Sequence, residues 1–290
     1  MRIKYLLSIL LVTFSVGFAC AQDDLLNQLD AQKTTEKEIV PSAFKGLQIC
    51  NMQSTKLPAQ GEWYVLISHR FGDITKGFDN FFGLDEAMTK IGGIYGVTNW
   101  LSVGVSRHRN NKIYEMAAKY KFANQLENGF PVTVVGYNTM DIRSDKFTVL
   151  YSDAKFNNRL AYTTQLLVSR KFSDKFSFEL APIWVHKNLY DGIEDQKNLL
   201  LIGSGARYKI AKRMSINLEY AARVNLAEGF TSPYHNPLSL GLDIETGGHV
   251  FQMVLSSSQP MNDVTAFSNS SGRWDGTKQL YFGFNIYRVF

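Results

Sequence analysis

Runs of about ten residues in which apolar and polar side chains alternate occupy most of the chain from Glu62 onward. In the clearest run, Ser215 to Val224, every second residue is apolar or aromatic: Ile216, Leu218, Tyr220, Ala222 and Val224. A period of two places alternate side chains on opposite faces of a strand. A tilted strand needs roughly 9–11 residues to cross a bilayer, whereas strands of water-soluble proteins have about five or six. The pattern therefore predicts strands that span a membrane.

The runs also alternate in how they are connected. We count about twelve of them: 62–71, 86–96, 98–108, 112–121, 130–139, 159–170, 174–186, 197–208, 212–224, 237–246, 249–257 and 278–290. Connections after even-numbered runs are mostly tight and those after odd-numbered runs mostly long, as in outer-membrane barrels. We predict an all-β fold, an antiparallel transmembrane β-barrel of about 12 strands with short periplasmic turns and longer extracellular loops. The long loops, notably Ser256 to Gly276, are predicted to be solvated surface.

The N-terminus has the layout of a secretory signal peptide. Basic residues precede the apolar run Leu6 to Phe18, which is too short to span a bilayer of about 30 Å comfortably. Ala19-Cys20-Ala21 then supplies the small residues that signal peptidase reads; a lipoprotein acylated at Cys20 is the alternative. We expect three parts: a signal peptide over 1–21, a periplasmic N-terminal segment over 22–61 and a transmembrane β-barrel in the outer membrane over 62–290.

Cysteine content and charge exclude two classes of protein. Cleavage after Ala21 leaves Cys50 as the only cysteine, which excludes a disulfide framework. The formal net charge of +5 falls to +3 when Arg2 and Lys4 are removed, and lysines and arginines form no tract. A nucleic-acid partner is therefore not expected.

Several short strings carry a family resemblance. They are His69-Arg70-Phe71-Gly72, Asn80-Phe81-Phe82-Gly83-Leu84-Asp85, Tyr95-Gly96, Lys119-Tyr120, Arg170-Lys171-Phe172, His249-Val250-Phe251-Gln252 and Phe282-Gly283-Phe284-Asn285-Ile286. In this order, from roughly residue 42 to the C-terminus, the chain resembles a family of Bacteroidota outer-membrane β-barrel proteins catalogued as a domain of unknown function. The resemblance implies a fold and a location, and it supplies no substrate, reaction or catalytic residue.

The last residue suggests a partner. Phe290 resembles the aromatic C-terminal residue that the outer-membrane assembly machinery recognises on barrel proteins, although Arg288 departs from the usual pattern of the last strand. Outer-membrane lipid is the other expected partner.

Eight charged side chains are expected to face the barrel interior: Glu115, Lys119, Glu179, Arg207, Glu219, Arg223, Asp243 and Glu245. Both signs are present. The set fits a charge-lined selective pore, or a network of ion pairs that fills a narrow lumen, and we favour the network.

Histidines give the only candidates for chemistry. Four are expected at the extracellular rim, where converging imidazoles would bind a transition metal: His69, His108, His186 and His235. Polar residues at strand ends explain the same placement without a metal. A hydrolase with His69 or His186 as base and Ser68 or Ser106 as nucleophile is a further alternative, but no spacing singles out a serine. No catalytic residue or cofactor is therefore assigned.

The sequence predicts an outer-membrane β-barrel whose specific role it does not give. A narrow channel, or a structural or binding component of the membrane, is favoured over enzymatic activity. The alternatives are an outer-membrane hydrolase, a metal-binding barrel and a soluble periplasmic β-protein.

Overall fold

Twelve antiparallel strands form a closed barrel in the computed structural model, which describes residues 38–146, 155–192, 195–226, 232–275 and 279–290. The strands are β1 (Trp63–Asp73), β2 (Ala87–Thr98), β3 (Leu101–His108), β4 (Ile113–Ala123), β5 (Thr133–Arg143), β6 (Leu160–Lys171), β7 (Phe176–Lys187), β8 (Asn198–Ala211), β9 (Met214–Arg223), β10 (Leu238–Thr246), β11 (His249–Ser256) and β12 (Tyr281–Val289). Each strand pairs with its neighbour in sequence, and β1 pairs with β12 to close the barrel. The predicted fold is confirmed.

Alternation along the strands separates an apolar outer surface from a lumen that is polar along β9 and β10 and partly apolar along β5 to β8. In β9, Ile216 and Leu218 are exposed on the outside, whereas Asn217 and Glu219 are buried inside. The same period of two holds in β10, where Ser239 is buried and Leu240 is exposed. Closure pairs each of the twelve described strands with two neighbours, so the barrel has no edge strand with a row of unpaired backbone groups.

The two ends of the barrel differ in their connections. At one end, here the short-connection end, β2–β3, β6–β7, β8–β9 and β10–β11 are joined by two to four residues and β4–β5 by nine. The other end, the long-connection end, carries the longer links, among them 74–86, 144–159 and 257–280. Trp63 and Phe290 exchange backbone hydrogen bonds at the short-connection end, so both termini of the barrel lie there. No helix in the described part of the chain is long and apolar enough to cross a membrane.

The N-terminal segment does not remain outside the barrel. Ile39 forms a bridge with Leu126 at the short-connection end, and residues 43–58 then enter the lumen. There Leu47 and Ser54 are joined by a backbone hydrogen bond, as are Ile49 and Met52, which makes a tight hairpin. We call residues 43–58 the plug hairpin. The expectation of a periplasmic segment over 22–61 therefore does not describe these residues. Residues 1–37, including the predicted signal peptide, lie outside the described ranges.

The link between β11 and β12 also folds into the barrel. It contains one short helix, α1 (Asp263–Ser268), in which Val264, Ala266 and Phe267 are buried. We call residues 257–272 the outer plug, because they enter from the long-connection end. The prediction that this loop is solvated surface is wrong. The loop is polar overall, so its composition gave no indication of the few apolar residues with which α1 packs against β6 and β7.

Candidate functional site: the occluded lumen

The tip of the plug hairpin is held by one carboxylate. Glu219 points into the lumen from the middle of β9, and its side-chain oxygens accept hydrogen bonds from the backbone N–H groups of Cys50, Asn51 and Met52, at 2.9 Å or 3.0 Å. A carboxylate that accepts several N–H bonds forms strong, charge-assisted contacts. Burial, followed by the nearby Glu219 carboxylate, raises the pKa of the Cys50 thiol.

Amides and an ammonium group hold the carbonyls of the same hairpin. Asn285 Nδ2 donates to the Cys50 carbonyl at 2.8 Å, and Gln252 Nε2 donates to the Ile49 carbonyl at 2.6 Å. The Lys119 ammonium donates to three carbonyls, those of Leu47, Ser54 and Lys56, at 3.0 Å, 3.0 Å and 3.4 Å. These wall residues come from β12, β11 and β4, so the hairpin is gripped from several sides of the barrel.

One side chain of the hairpin is bound in the same way. Asn51 Oδ1 accepts a hydrogen bond from the guanidinium of Arg70 at 2.9 Å. Its Nδ2 donates to the hydroxyls of Ser239 and Ser256 at 3.2 Å and 3.0 Å. Arg70 is fully buried and also donates to Asn285 Oδ1 at 3.0 Å, which links two groups that hold the hairpin.

Glycines in the wall make room for the apolar side chains of the hairpin. A Cβ added to Gly205 would lie 2.2 Å from Ile49 Cδ1, and one added to Gly203 would lie 2.5 Å from Met52 Cε. Both distances are shorter than any van der Waals contact. Larger residues at these two positions of β8 would therefore force the ends of the Ile49 and Met52 side chains to move.

The outer plug is tied to the wall through polar groups. Asn262 donates to Asp141 of β5, and Asp263 accepts hydrogen bonds from Gln165 of β6 and from Gln53 of the plug hairpin. On the opposite side, Arg223 donates to the carbonyls of Phe267 and Ser268. The two plugs thus touch each other in the middle of the barrel.

A buried ion pair lies beside the outer plug. Lys90 Nζ is 2.7 Å from Glu115 Oε1, the two side chains are 3% and 4% exposed, and Lys90 also reaches the Met261 carbonyl at 3.4 Å. Burial, with Glu115 next in importance, raises the pKa of Asp263 to about 7. The contact between plug and wall therefore contains a group that titrates near neutral pH.

Little open space remains between the plugs and the wall. A cavity of about 40 Å³ separates the plug hairpin from β2, β3 and β4, which leaves room for a few water molecules. Wider clefts lie at the mouths: about 350 Å³ beside Lys45 and Glu245 at the short-connection end, and about 160 Å³ beside Arg143 and Lys187 at the other. Among the described residues, the two plugs thus fill the middle of the lumen, with a cleft at each mouth.

Six of the eight charged residues assigned to the lumen are buried inside the barrel: Glu115, Lys119, Glu179, Arg207, Glu219 and Asp243. Arg223 and Glu245 are half-buried nearer its ends. Some form ion pairs, such as Arg207 with Glu245 at 3.3 Å. Others, including Glu219, bind the plug hairpin instead of an opposite charge.

The four histidines are not brought together. His69 and His186 lie on the outer face of their strands, where His69 stacks on Phe284 with ring centres 5.4 Å apart and His186 binds Asn198 and Asn188. His108 is buried inside the barrel, because it occupies a position of β3 whose side chain points into the lumen. His235 lies in the 224–237 link. The described ranges contain no group of three or more His, Cys, Asp or Glu side chains placed to hold a metal.

The proposed Ser–His pairs do not form either. Ser68 is buried in the lumen, whereas the adjacent His69 faces outward, because successive residues of a strand point to opposite faces. Ser106 also points inward, with its hydroxyl donating to Glu115 at 3.1 Å and lying 3.5 Å from His108. Neither His69 nor His186 shares a face with either serine.

Sequence reasoning missed the plug hairpin and the outer plug. One signal was available: Phe44, Leu47, Ile49 and Met52 place apolar side chains every two or three residues in an otherwise polar segment.

A family model described as "Membrane bound beta barrel domain (DUF5777)" matches residues 44–290, which include most of the plug hairpin. No curated protein matches the chain. Similar solved structures include the KdgM porin, with 11% identity, 78% of this chain and 99% of that chain covered, and a TM-score of 0.48. An outer membrane channel from Pseudomonas putida F1 has 13% identity, coverage of 87% and 100%, and a TM-score of 0.44. Omp33 from Acinetobacter baumannii has 10% identity, coverage of 81% and 100%, and a TM-score of 0.42. These similarities concern the fold alone.

Proposed function

The chain belongs to the family of membrane-bound β-barrel domains, and on that premise we propose that it is a gated channel for small hydrophilic solutes in the outer membrane. In the state described here the channel is closed by the plug hairpin and the outer plug. The eight charged residues assigned to the lumen would line the open bore.

Two features of the sequence support the location. The layout of residues 1–21 is that of a cleaved signal peptide, which directs a chain out of the cytoplasm. Phe290 directly follows β12, the closing strand of the barrel, and is proposed as the residue that the outer-membrane assembly machinery recognises. Lipid of the outer membrane would then contact the apolar outer surface.

The observation that carries the channel proposal is the nature of the wall beneath the plugs. A barrel of this size can fill its lumen with the long side chains of its own strands. Here several of the positions that face the plug hairpin are small instead, including Gly203, Gly205, Ser239 and Ser256, although large side chains such as those of Leu66 and Tyr287 also pack against it. Without the hairpin, these residues would line a bore that water can fill.

The connections of the plugs allow them to leave without breaking the barrel. The plug hairpin joins β1 through residues 59–62 at the short-connection end, and the outer plug joins β11 and β12 at the other end. Neither contributes a strand to the barrel. Opening therefore exchanges hydrogen bonds between plug and wall for hydrogen bonds to water, and leaves the twelve-strand ladder intact.

Conductance in planar bilayers tests this function. We would compare the full chain with variants in which residues 44–57, residues 258–272, or both are replaced by Gly-Ser linkers of the same length. A chain with the same replacement at 22–37 is the control. We expect rare, brief openings for the full chain and the control, and a steady conductance for the double variant. A double variant that is folded, as judged by heat-modifiable migration, and yet does not conduct would overturn the channel proposal.

A further inference from the structure

We propose that the lumen contains a peptide-binding site and that short peptides are the solutes it admits. The binding site is inferred from the contacts of the plug hairpin alone, whereas the role of peptides as cargo rests on the proposed channel function.

The wall recognises mainly backbone atoms. Glu219 accepts three backbone N–H bonds, and Glu179 accepts a fourth, from Thr55 at 3.1 Å. Five carbonyls are held by Lys119, Asn285 and Gln252. Backbone N–H and C=O groups occur in every peptide. The same wall groups can therefore hold other peptides that adopt a similar turn.

Side-chain slots accompany the backbone contacts. The open positions at Gly205 and Gly203 receive Ile49 and Met52, and Gly241 lies against Cys50, where an added Cβ would be 2.7 Å from its Sγ. Each slot is bounded by a glycine, and the slot for Met52 is also lined by apolar side chains such as those of Ile183 and Leu201. The slots thus fix where side chains go, limit their size, and favour an apolar side chain at the position of Met52.

The hairpin does not use all the hydrogen-bonding capacity of the site. Among the described residues, Glu179 Oε1, Asn217 Oδ1 and Arg70 Nε are buried side-chain atoms without a hydrogen-bond partner. A buried polar group without a partner costs free energy, so a ligand that satisfies these atoms would gain contacts that the hairpin lacks. On the proposed function, the plug hairpin is the segment with which a cargo peptide competes for this site.

A cut made after folding separates binding from assembly. Ala59, Gln60 and Gly61 are exposed at the short-connection end, so a protease site inserted after Gln60 can be cleaved in the assembled full-length protein. The barrel has then already folded around its own hairpin. Heat-modifiable migration checks that it stays folded, and fluorescence anisotropy measures the exchange of the cut segment for a labelled synthetic peptide of residues 42–58.

The expected result is saturable binding that depends on the backbone. Glu219→Gln should weaken binding at least tenfold, whereas Asp174→Asn, at an exposed turn on the outside of the lumen, should not change it. A peptide N-methylated at residues 50, 51 and 52 keeps every side chain but loses the three N–H groups that Glu219 binds, and it should bind at least tenfold more weakly. Equal binding of the methylated and unmethylated peptides would overturn the proposed site.

Competition experiments distinguish a site that binds cargo peptides from one that binds only the chain's own hairpin. Unrelated peptides of six to eight residues should displace the labelled peptide, with a dependence on Glu219, whereas neutral oligosaccharides of the same mass should not. If only the chain's own peptide binds, the cargo proposal is wrong. In bilayers, the same unrelated peptides should interrupt the current of the double linker variant. A variant that conducts but whose current peptides do not change would refute the inference and leave the channel proposal standing. Peptide binding without any conductance would refute the channel and the cargo role, and leave only the binding site.

Discussion

Replacing Lys90 by methionine tests whether the lumen is closed to water beside the outer plug. The substitution keeps most of the unbranched side chain, which becomes one atom shorter, but removes the ammonium that lies 2.7 Å from Glu115. Glu115 would then remain buried without its cation, close to two other carboxylates, those of Asp141 and Asp263. We expect the outer plug to loosen, because Lys90 also donates to the carbonyl of Met261.

The size of the expected loss in free energy of unfolding follows from the burial of the ion pair. Breaking a buried ion pair by removing one partner typically costs about 3–5 kcal/mol, because the remaining charge is uncompensated. An exposed pair is worth about 0–1 kcal/mol. The matched control is Lys171→Met, since Lys171 pairs with Asp174 at 3.0 Å and the latter side chain is 96% exposed. The double variant Lys90→Met with Glu115→Leu should recover much of the loss, because the carboxylate that Lys90 pairs with is removed as well.

Urea unfolding in lipid vesicles, followed by tryptophan fluorescence, measures the free energy of unfolding of these variants. The account predicts a loss of about 3–5 kcal/mol for Lys90→Met and about 1 kcal/mol or less for the control. Equal, small losses for both would mean that water reaches the ion pair, which contradicts an occluded lumen.

Two further predictions concern the plugs themselves. Met52→Ala should weaken docking of the plug hairpin by about 2–5 kcal/mol, because Met52 is fully buried, and residues 43–58 should exchange amide hydrogens faster; Met116→Ala on the outer face should leave that exchange unchanged. The pKa of Asp263 is raised from 3.8 to about 7, so its contribution to docking is complete below about pH 4 and is lost as pH rises through about 7. Residues 257–272 should therefore be cleaved faster by protease at pH 8 than at pH 5.5, and Asp263→Asn should reduce the difference; faster cleavage at pH 5.5 would show that the sign is wrong.

The barrel was predictable because its pattern is local. A period of two over about ten residues requires only the sequence of one strand, and the twelve runs match the twelve strands to within a few residues. The largest shift is in β5, predicted over 130–139 and found at Thr133–Arg143. There Gly136 and Asn138 lie on the outer face and weaken the apolar alternation.

The plugs were not predictable in the same way, because their contacts join residues far apart in the chain. The hydrogen bonds from residues 50–52 to Glu219 join positions more than 160 residues apart. Neither the sequence around residues 50–52 nor the sequence around Glu219 indicates this contact by itself. Glycines in β8 marked space in the lumen, but a glycine in a strand fits bending as well as close approach. The alternation along each strand predicted which charged side chains point into the lumen. The group that each of them binds, however, depends on what fills the barrel.

A reducible disulfide between the plug hairpin and the barrel wall tests whether movement of this hairpin gates a channel. Cys50 is free and buried, and a Cβ added to Gly241 would lie 2.7 Å from its Sγ. Gly241→Cys therefore places two thiols within reach of a disulfide, whose S–S bond is about 2 Å long. Single-channel recording of this variant in planar bilayers, before and after a reductant is added, is the measurement. We predict that no channel openings are recorded when the disulfide is formed, and that openings like those of the unmodified chain are recorded after reduction. The same current in both states, or no opening in either, would contradict it.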